Sequence, residues 1–314
     1  MPPDPQRMTC MEVWGGCDAA DAAVSLAGLD AWVYSRPFAQ AQGGGDVYYV
    51  SSCATGRINR LLVADVSGHG AAVRDVAVQL RDLMRRYVNY IDQSKFVLSM
   101  NRQFVECSAA GCFATAVVST FFAPTRTLSI CNAGHPPPLV WRATTREWSL
   151  LDQGSESEDD RVVNIPLGII DLEDCEQFGV ELDPGDLVLV YTDSLIEARA
   201  KDGEMLGPEG LLELARQDLD PTQPQSLIPA LLQSIDQRTS GGLHADDVTL
   251  LLLRATGRDT RVTWWNVLIA PVRVVASIAR AIAGRGPMSL PEFSLANLGG
   301  ALFSPFNRLW GRKP

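Results

Sequence analysis

A short apolar run that ends in a carboxylate and breaks into a glycine-rich turn, Leu61-Leu62-Val63-Ala64-Asp65-Val66-Ser67-Gly68-His69-Gly70, sets the terms for this chain. Beyond the turn, Val73, Val76, Ala77, Leu80, Leu83, Tyr87 and Ile91 recur at helical spacing, with arginines and aspartates between them. Asp65 therefore falls where a buried strand opens into a loop ahead of a helix. Taken alone, an aspartate in such a turn is an ordinary cap or turn residue. Three further segments repeat the juxtaposition. Gly43-Gly44-Gly45-Asp46 precedes Val47-Tyr48-Tyr49-Val50, Asp193 closes the run from Leu187 to Tyr191, and Asp246 and Asp247 open the run from Val248 to Leu253. Strand ends meeting at one rim of a sheet would gather these carboxylates. Burying them together without cations would cost several kcal/mol. All-oxygen, aspartate-rich sites suit Mg²⁺ or Mn²⁺, which would offset that cost.

The motifs have an order. Gly-Gly-Asp, Asp-Val-Ser-Gly-His-Gly, Asn-Ala-Gly-His-Pro-Pro-Pro-Leu, Tyr-Thr-Asp-x-x-x-Glu-Ala and Asp-Asp-Val-Thr follow one another along the chain. In this order and at these separations, the sequence resembles the metal-dependent serine/threonine protein phosphatases of the PPM type, also called protein phosphatase 2C, in their bacterial SpoIIE-like branch. The resemblance covers roughly residues 29–254. It implies an α+β fold of two packed antiparallel sheets flanked by helices, a four-layer αββα sandwich. It also implies hydrolysis of phosphoserine or phosphothreonine with two Mn²⁺ or Mg²⁺ ions. Asp65 matches the carboxylate that bridges both metals, and the backbone carbonyl of Val66 completes the second. Asp193 and Asp246 match the other ligands of the first metal, with Asp247 the adjacent alternative to Asp246. Asp46 matches the second-metal side, directly or through water. The typical substrate in related bacterial proteins is a phosphorylated anti-anti-sigma regulator of a partner-switching pathway.

Two departures from the family pattern matter. The histidine of animal-type relatives follows the bridging aspartate by two residues, where this chain has Ser67. His69, four residues on, is either a general acid or a brace for the helix start. Ser194 stands where the family usually has glycine, and its Cβ favours an alternative function, a catalytically weak or inactive, membrane-recruited module that holds phosphorylated partners. His135 and Asn132 read as turn-fixing residues. Arg57, Arg60 and Arg74 are candidates for the substrate phosphate by nearness in sequence only.

The elements are expected as follows. Strands run from Leu29 to Tyr34, Val47 to Ser52, Arg60 to Ala64, Thr115 to Phe122, Leu128 to Asn132, Leu139 to Trp141 and Val248 to Leu253. The runs from Phe178 to Leu182 and from Leu187 to Tyr191 form a hairpin across Asp183-Pro184-Gly185-Asp186. Helices run from Ala71 to Tyr90, Ser94 to Cys107, Leu211 to Arg216 and Ser226 to Gln237. Residues 1–28, rich in Pro, Ala, Gly and Asp, read as a loosely ordered arm, and the polar insert from Gly154 to Asp160 as a solvated loop.

Charge separates body from tail. The net charge is −10. From Arg254 onward nine basic residues face two acidic ones, +7, so residues 1–253 carry −17. So acidic a body argues against nucleic acid as a partner. Seven scattered cysteines without a Cys-x-x-Cys, and only three histidines, argue against a zinc cluster and fit reduced thiols in a cytoplasm. The start of the chain lacks the basic and apolar regions of a secretory leader. Residues 255–314 form a basic, apolar tail. Within 262–313, Asn266, Arg273, Ser277, Arg280 and Gly284 share one helical face, which predicts an interfacial helix on an anionic membrane. Packing on the body or on a second copy in a homodimer, and a true membrane span, are the alternatives.

Overall fold

The computed structural model describes residues 5–258 together with 269 and 272, apart from 9–12, 42, 54–55, 69–70, 88–89, 91, 108–111, 152–164, 172–174, 202, 240–241 and 244–245. Two sheets face each other. The first, in spatial order, is β1 (Gln6–Arg7), β3 (Ala20–Leu26), β4 (Leu29–Arg36), β13 (Val248–Ala255), β12 (Leu187–Tyr191), β9 (Leu139–Arg142) and β10 (Glu147–Leu150). The second is β11 (Phe178–Glu181), β8 (Thr127–Ala133), β7 (Ala114–Phe122), β6 (Ile58–Val66), β5 (Asp46–Ser52) and β2 (Val13–Gly16). Every pairing is antiparallel except that of β1 with β3. Helices α1 (Ala71–Arg86) and α2 (Gln93–Cys107) cover the second sheet, and α3 (Ser194–Glu197), α4 (Gly207–Asp218) and α5 (Pro224–Arg238) cover the first. The expected αββα sandwich is the observed one.

Strand periodicity explains why the central strands lack polar alternation. Side chains alternate across a strand, and both faces of β6 are covered. Leu61 and Val63 pack between the sheets, while Leu62, Ala64 and Val66 pack against Val73, Val76, Leu80 and Phe104 of the helices. In β13, Leu251 and Leu253 turn inward between the sheets, and Leu250 and Leu252 turn toward Leu211, Leu231 and Ile235 of α4 and α5. A strand buried on both faces reads as a continuous apolar run.

Two expectations need correction. The described part of residues 1–28 is not a loose arm, since β1, β2 and β3 lie there and β3 pairs with β4 along its whole length. Its alanines made it look unstructured, yet small side chains suffice where a strand packs against a filled core. The segments from Phe178 to Leu182 and from Leu187 to Tyr191 do not form a hairpin. β11 pairs with β8 in one sheet, and β12 pairs with β9 and β13 in the other. The Pro-Gly turn carries the chain over the end of the sandwich and is pinned by buried Asp186, which accepts from Ala143 N at 2.8 Å, Asp183 N at 3.1 Å and Arg142 Nη1 at 2.9 Å. Likewise β8 and β9 flank their proline turn in different sheets. The insert from Gly154 to Asp160 and the span 262–313, except Ile269 and Val272, lie outside the described residues. Among the described residues no helix is long and apolar enough to cross a membrane.

Candidate metal-phosphatase site

The two sheets end together at one rim, and the aspartates stand there. Asp46 opens β5 directly opposite Asp65 near the end of β6. By alternation both share the face of Leu61 and Val63, pointing between the sheets. Asp193 follows β12, and Asp246 and Asp247 precede β13, in the facing sheet. Burial and then the charges of Asp193, Asp246, Asp247 and Glu197 push the Asp65 carboxyl up to about 7. Asp46 is 3% exposed, and burial together with Asp65 raises its pKa well above the ordinary range. Asp193 is raised by burial, Glu197 and Asp246. Five aspartates from four separate stretches of the sequence thus stand at one rim, and the charge of Asp65 bears on each of the others.

Neighbouring polar groups join the two sheets at this rim. Thr192 Oγ1 donates to Asp46 Oδ2 at 2.9 Å and accepts from Thr249 N at 3.0 Å. Thr249 Oγ1 meets Ser35 Oγ at 3.0 Å. Gly45 N donates to Asp247 Oδ2 at 2.6 Å, and Val66 N donates to Gly45 O at 3.2 Å. The Gly43-Gly44-Gly45 run is short of side chains for a steric reason. A Cβ on Gly45 would sit 2.9 Å from Val66 O and 3.3 Å from Asp65 Oδ1. Val66 O and the Asp65 carboxylate therefore flank one small space.

Other sequence candidates fall elsewhere. Arg60 is fully buried and holds Gln93 Oε1 at 2.8 Å, Thr120 and the carbonyl of Tyr90, with its guanidinium 4.3 Å from the Phe96 ring centre. It serves the core between β6 and α2 and is not a phosphate ligand. Arg74 lies on α1 against Asp18 at 3.3 Å, beside the Gly43 turn. His135 is buried, its Nδ1 2.9 Å from Thr115 Oγ1, and its backbone is tied to the Asn132 side chain by two 2.8 Å hydrogen bonds. Burial pulls its imidazole down to about 4, so it is neutral at physiological pH. Both turn-fixing assignments fit this geometry. His69 lies outside the described residues. Ser194 opens α3 and is not among the residues with positive φ, so its Cβ imposes no strain on the backbone after Asp193.

Sequence reading included Thr192, Glu197 and Thr249 in its motifs but assigned them no role. The signal for Glu197 was present, because it follows Asp193 by four residues, one helical turn. Its N–H donates to Asp193 O at 2.9 Å.

The rim fits hard cations by its chemistry: oxygen donors, like charges and a carboxylate as buried as Asp46. It is an open constellation rather than a closed chelate. Among the described residues no three His, Cys, Asp or Glu side chains are gathered closely enough to enclose one ion.

A carboxylate that titrates near 7 in the fold but near 3.8 in the open chain binds its proton more tightly when folded. Folding stability contributed by that proton is present at low pH and declines from about pH 4 to about pH 7. Asp46 and Asp193 act in the same direction. Chelator-treated protein is therefore expected to melt at a higher temperature near about pH 5 than near about pH 8. Excess Mn²⁺ should flatten this dependence. A Tm that climbs over the same interval in chelator contradicts the acidic-rim description.

The family model for Stage II sporulation protein E (SpoIIE) matches residues 56–256, spanning β6 to the end of β13. The chain belongs to the SpoIIE family. This SpoIIE-family chain is 24% identical to phosphoserine phosphatase RsbU of Bacillus subtilis (strain 168) over 227 residues. That match covers 72% of this chain and 63% of RsbU, so the chain spans somewhat less than two thirds of that relative's length. Among solved structures, the RsbU and RsbW domains of Rv1364c from Mycobacterium tuberculosis superpose with a TM-score of 0.60 at 20% identity, covering 87% of this chain and 80% of that one. The PP2C phosphatase domain of SpoIIE from Bacillus subtilis, with a fragment of its regulatory domain, superposes with a TM-score of 0.59 at 17% identity, covering 78% and 63%. These likenesses establish the PP2C-like fold.

Proposed function

We propose that this SpoIIE-family chain is a divalent-metal-dependent protein serine/threonine phosphatase. Its substrate is a phosphorylated regulator of the anti-anti-sigma kind in a bacterial partner-switching pathway. One observation carries the reading: carboxylates from both sheets meet at one rim, where burial and mutual repulsion raise the pKa of Asp46, Asp65 and Asp193. Supporting it, the curated relative RsbU is named a phosphoserine phosphatase.

Asp65 has carboxylates on both sides, Asp46 in its own sheet and Asp193 and Asp246 from the other, and would be the residue shared between two ions. The Val66 carbonyl, beside the same small space at Gly45, would add a neutral oxygen. Asp193 and Asp246 would complete one ion's ligands and Asp46 would serve the other. Bound Mn²⁺ or Mg²⁺ supplies a water nucleophile at neutral pH and offsets the charge of the phosphate. The chain's own contribution is orientation. Thr192 fixes the Asp46 carboxylate from the opposite sheet. The short hydrogen bond from Gly45 to Asp247 fixes the approach of β5.

The alternative of a binding module without turnover rested on Ser194, and the ordinary helical start at that residue removes its support. The deciding experiment follows phosphate release from a phosphoserine protein while Mn²⁺ is titrated into chelator-treated enzyme. Release that needs Mn²⁺ and saturates with it is expected. Metal-independent release, or none at any Mn²⁺ concentration, overturns the proposal.

A further inference from the structure

Asp247 is adjacent to Asp246, but its carboxylate is already engaged. Oδ1 accepts from Phe38 N at 2.6 Å. Oδ2 accepts from Gly45 N at 2.6 Å and from Asp46 N at 3.4 Å. Asp246 differs: it is exposed, its Oδ1 accepts from Asp247 N at 2.8 Å, and its charge bears on both Asp65 and Asp193. Steric packing agrees with the hydrogen bonds. A Cβ on Gly44 would lie 2.1–2.4 Å from all three atoms of the Asp247 carboxylate group. Gly44 does not have a positive φ, so backbone conformation does not demand glycine there. The carboxylate itself fills the space.

We infer that Asp247 is a positioning residue. Resting on the metal-site reading above, it clamps the segment from Gly43 to Asp46 onto the start of β13 and so sets where Asp46 offers its carboxylate to a divalent cation. The physical basis is the strength of hydrogen bonds from backbone N–H groups to an ionised carboxylate. The clamp spans the two sheets, because Asp247 leads into β13 while Gly45 and Asp46 lead into β5. The link extends to the Asp65 strand through the bond from Val66 N to Gly45 O. A carboxylate engaged by three backbone donors is poorly free to ligate a metal, so the neighbouring aspartates have distinct tasks: Asp246 faces the ions and Asp247 holds the loop.

The test uses the full chain and two readouts, amide hydrogen exchange over residues 38–46 in chelator, and Mn²⁺ affinity from the free Mn²⁺ electron paramagnetic resonance signal. Asp247→Ala should speed exchange of the Gly45 and Phe38 amides about tenfold or more, since hydrogen bonds to a charged group are lost. It should weaken Mn²⁺ binding about 10–100-fold. Asp247→Asn, which keeps one acceptor oxygen, should fall between wild type and Asp247→Ala. Gly44→Ala should also weaken Mn²⁺ by displacing the carboxylate. Added to Asp247→Ala, it should cost no more than about a further twofold, because the clash has gone. Wild-type exchange and Mn²⁺ affinity in Asp247→Ala, or penalties that multiply in full in the double variant, would overturn the inference. The phosphatase reading fails differently, through a wild-type chain that binds Mn²⁺ and releases no phosphate.

Discussion

Asp65→Asn is expected to lower Mn²⁺-dependent phosphate release by about 1,000-fold, the scale on which loss of one preorganised charge-stabilising group acts. It is expected at the same time to raise the Tm of chelator-treated protein. The opposite signs share one cause. Asp65 faces Asp46 across the strand pair, and burial, followed by the charges of Asp193, Asp246, Asp247 and Glu197, raises its pKa to about 7. Without cations this is a cluster of like charges, and neutralising the central one relieves it. In the proposed metal-site reading the same carboxylate would ligate the cations, and an amide cannot replace its charge. Phosphate release and thermal melting on paired samples measure both effects. Equal turnover in the two proteins would remove Asp65 from the reaction. A lower Tm for the variant in chelator would show that repulsion does not dominate the rim.

Arg60→Ala should produce the largest loss of stability, about 3–5 kcal/mol, from a cavity plus polar partners left unsatisfied. Arg60 is fully buried, opposite Thr120 in the β6–β7 register. Its hydrogen bonds to Gln93, Thr120 and the Tyr90 carbonyl, with the Phe96 ring beneath it, fasten α2 to the second sheet. Burial lowers its pKa to about 10, so it stays charged at neutral pH and its partners carry a cation. The corresponding fall in Tm is roughly 10 °C for a domain of this size. Thermal unfolding by circular dichroism measures it. At temperatures where the variant is folded, its KM for a phosphoserine protein should equal that of wild type. A raised KM with an unchanged Tm would return Arg60 to the role of phosphate ligand.

Legibility in the sequence followed from how local each signal was. Asp46, Asp65, Asp193 and Asp246 each adjoin an apolar run, so their places at strand ends could be read directly, and ordered motifs supplied the fold. Arg60 was misread because nearness along the chain does not reveal which face of a strand a side chain takes. Asp247 could not be separated from Asp246 for a related reason. Adjacent residues near a strand end point in different directions, and only the approach of Gly44 and Gly45 from 200 residues upstream distinguishes them. Residues 13–28 were underestimated because their small side chains carry little hydrophobic signal, while the pairing of β3 with β4 depends on a partner strand.

By itself, then, the sequence determined the α+β class and the strand-end aspartates, because burial on both faces and turn chemistry are written in neighbouring residues, while the layered sandwich was implied by the resemblance of its ordered motifs to the SpoIIE-like branch. Only the tertiary structure decided which strands share a sheet. It alone turned the Pro-Gly segment at Asp183–Asp186 from a hairpin into a crossing between sheets, since a turn fixes a reversal but not the partner that the next strand finds. The same holds for the rim. Each carboxylate is specified locally, but their mutual repulsion exists only once two sheets bring their ends together.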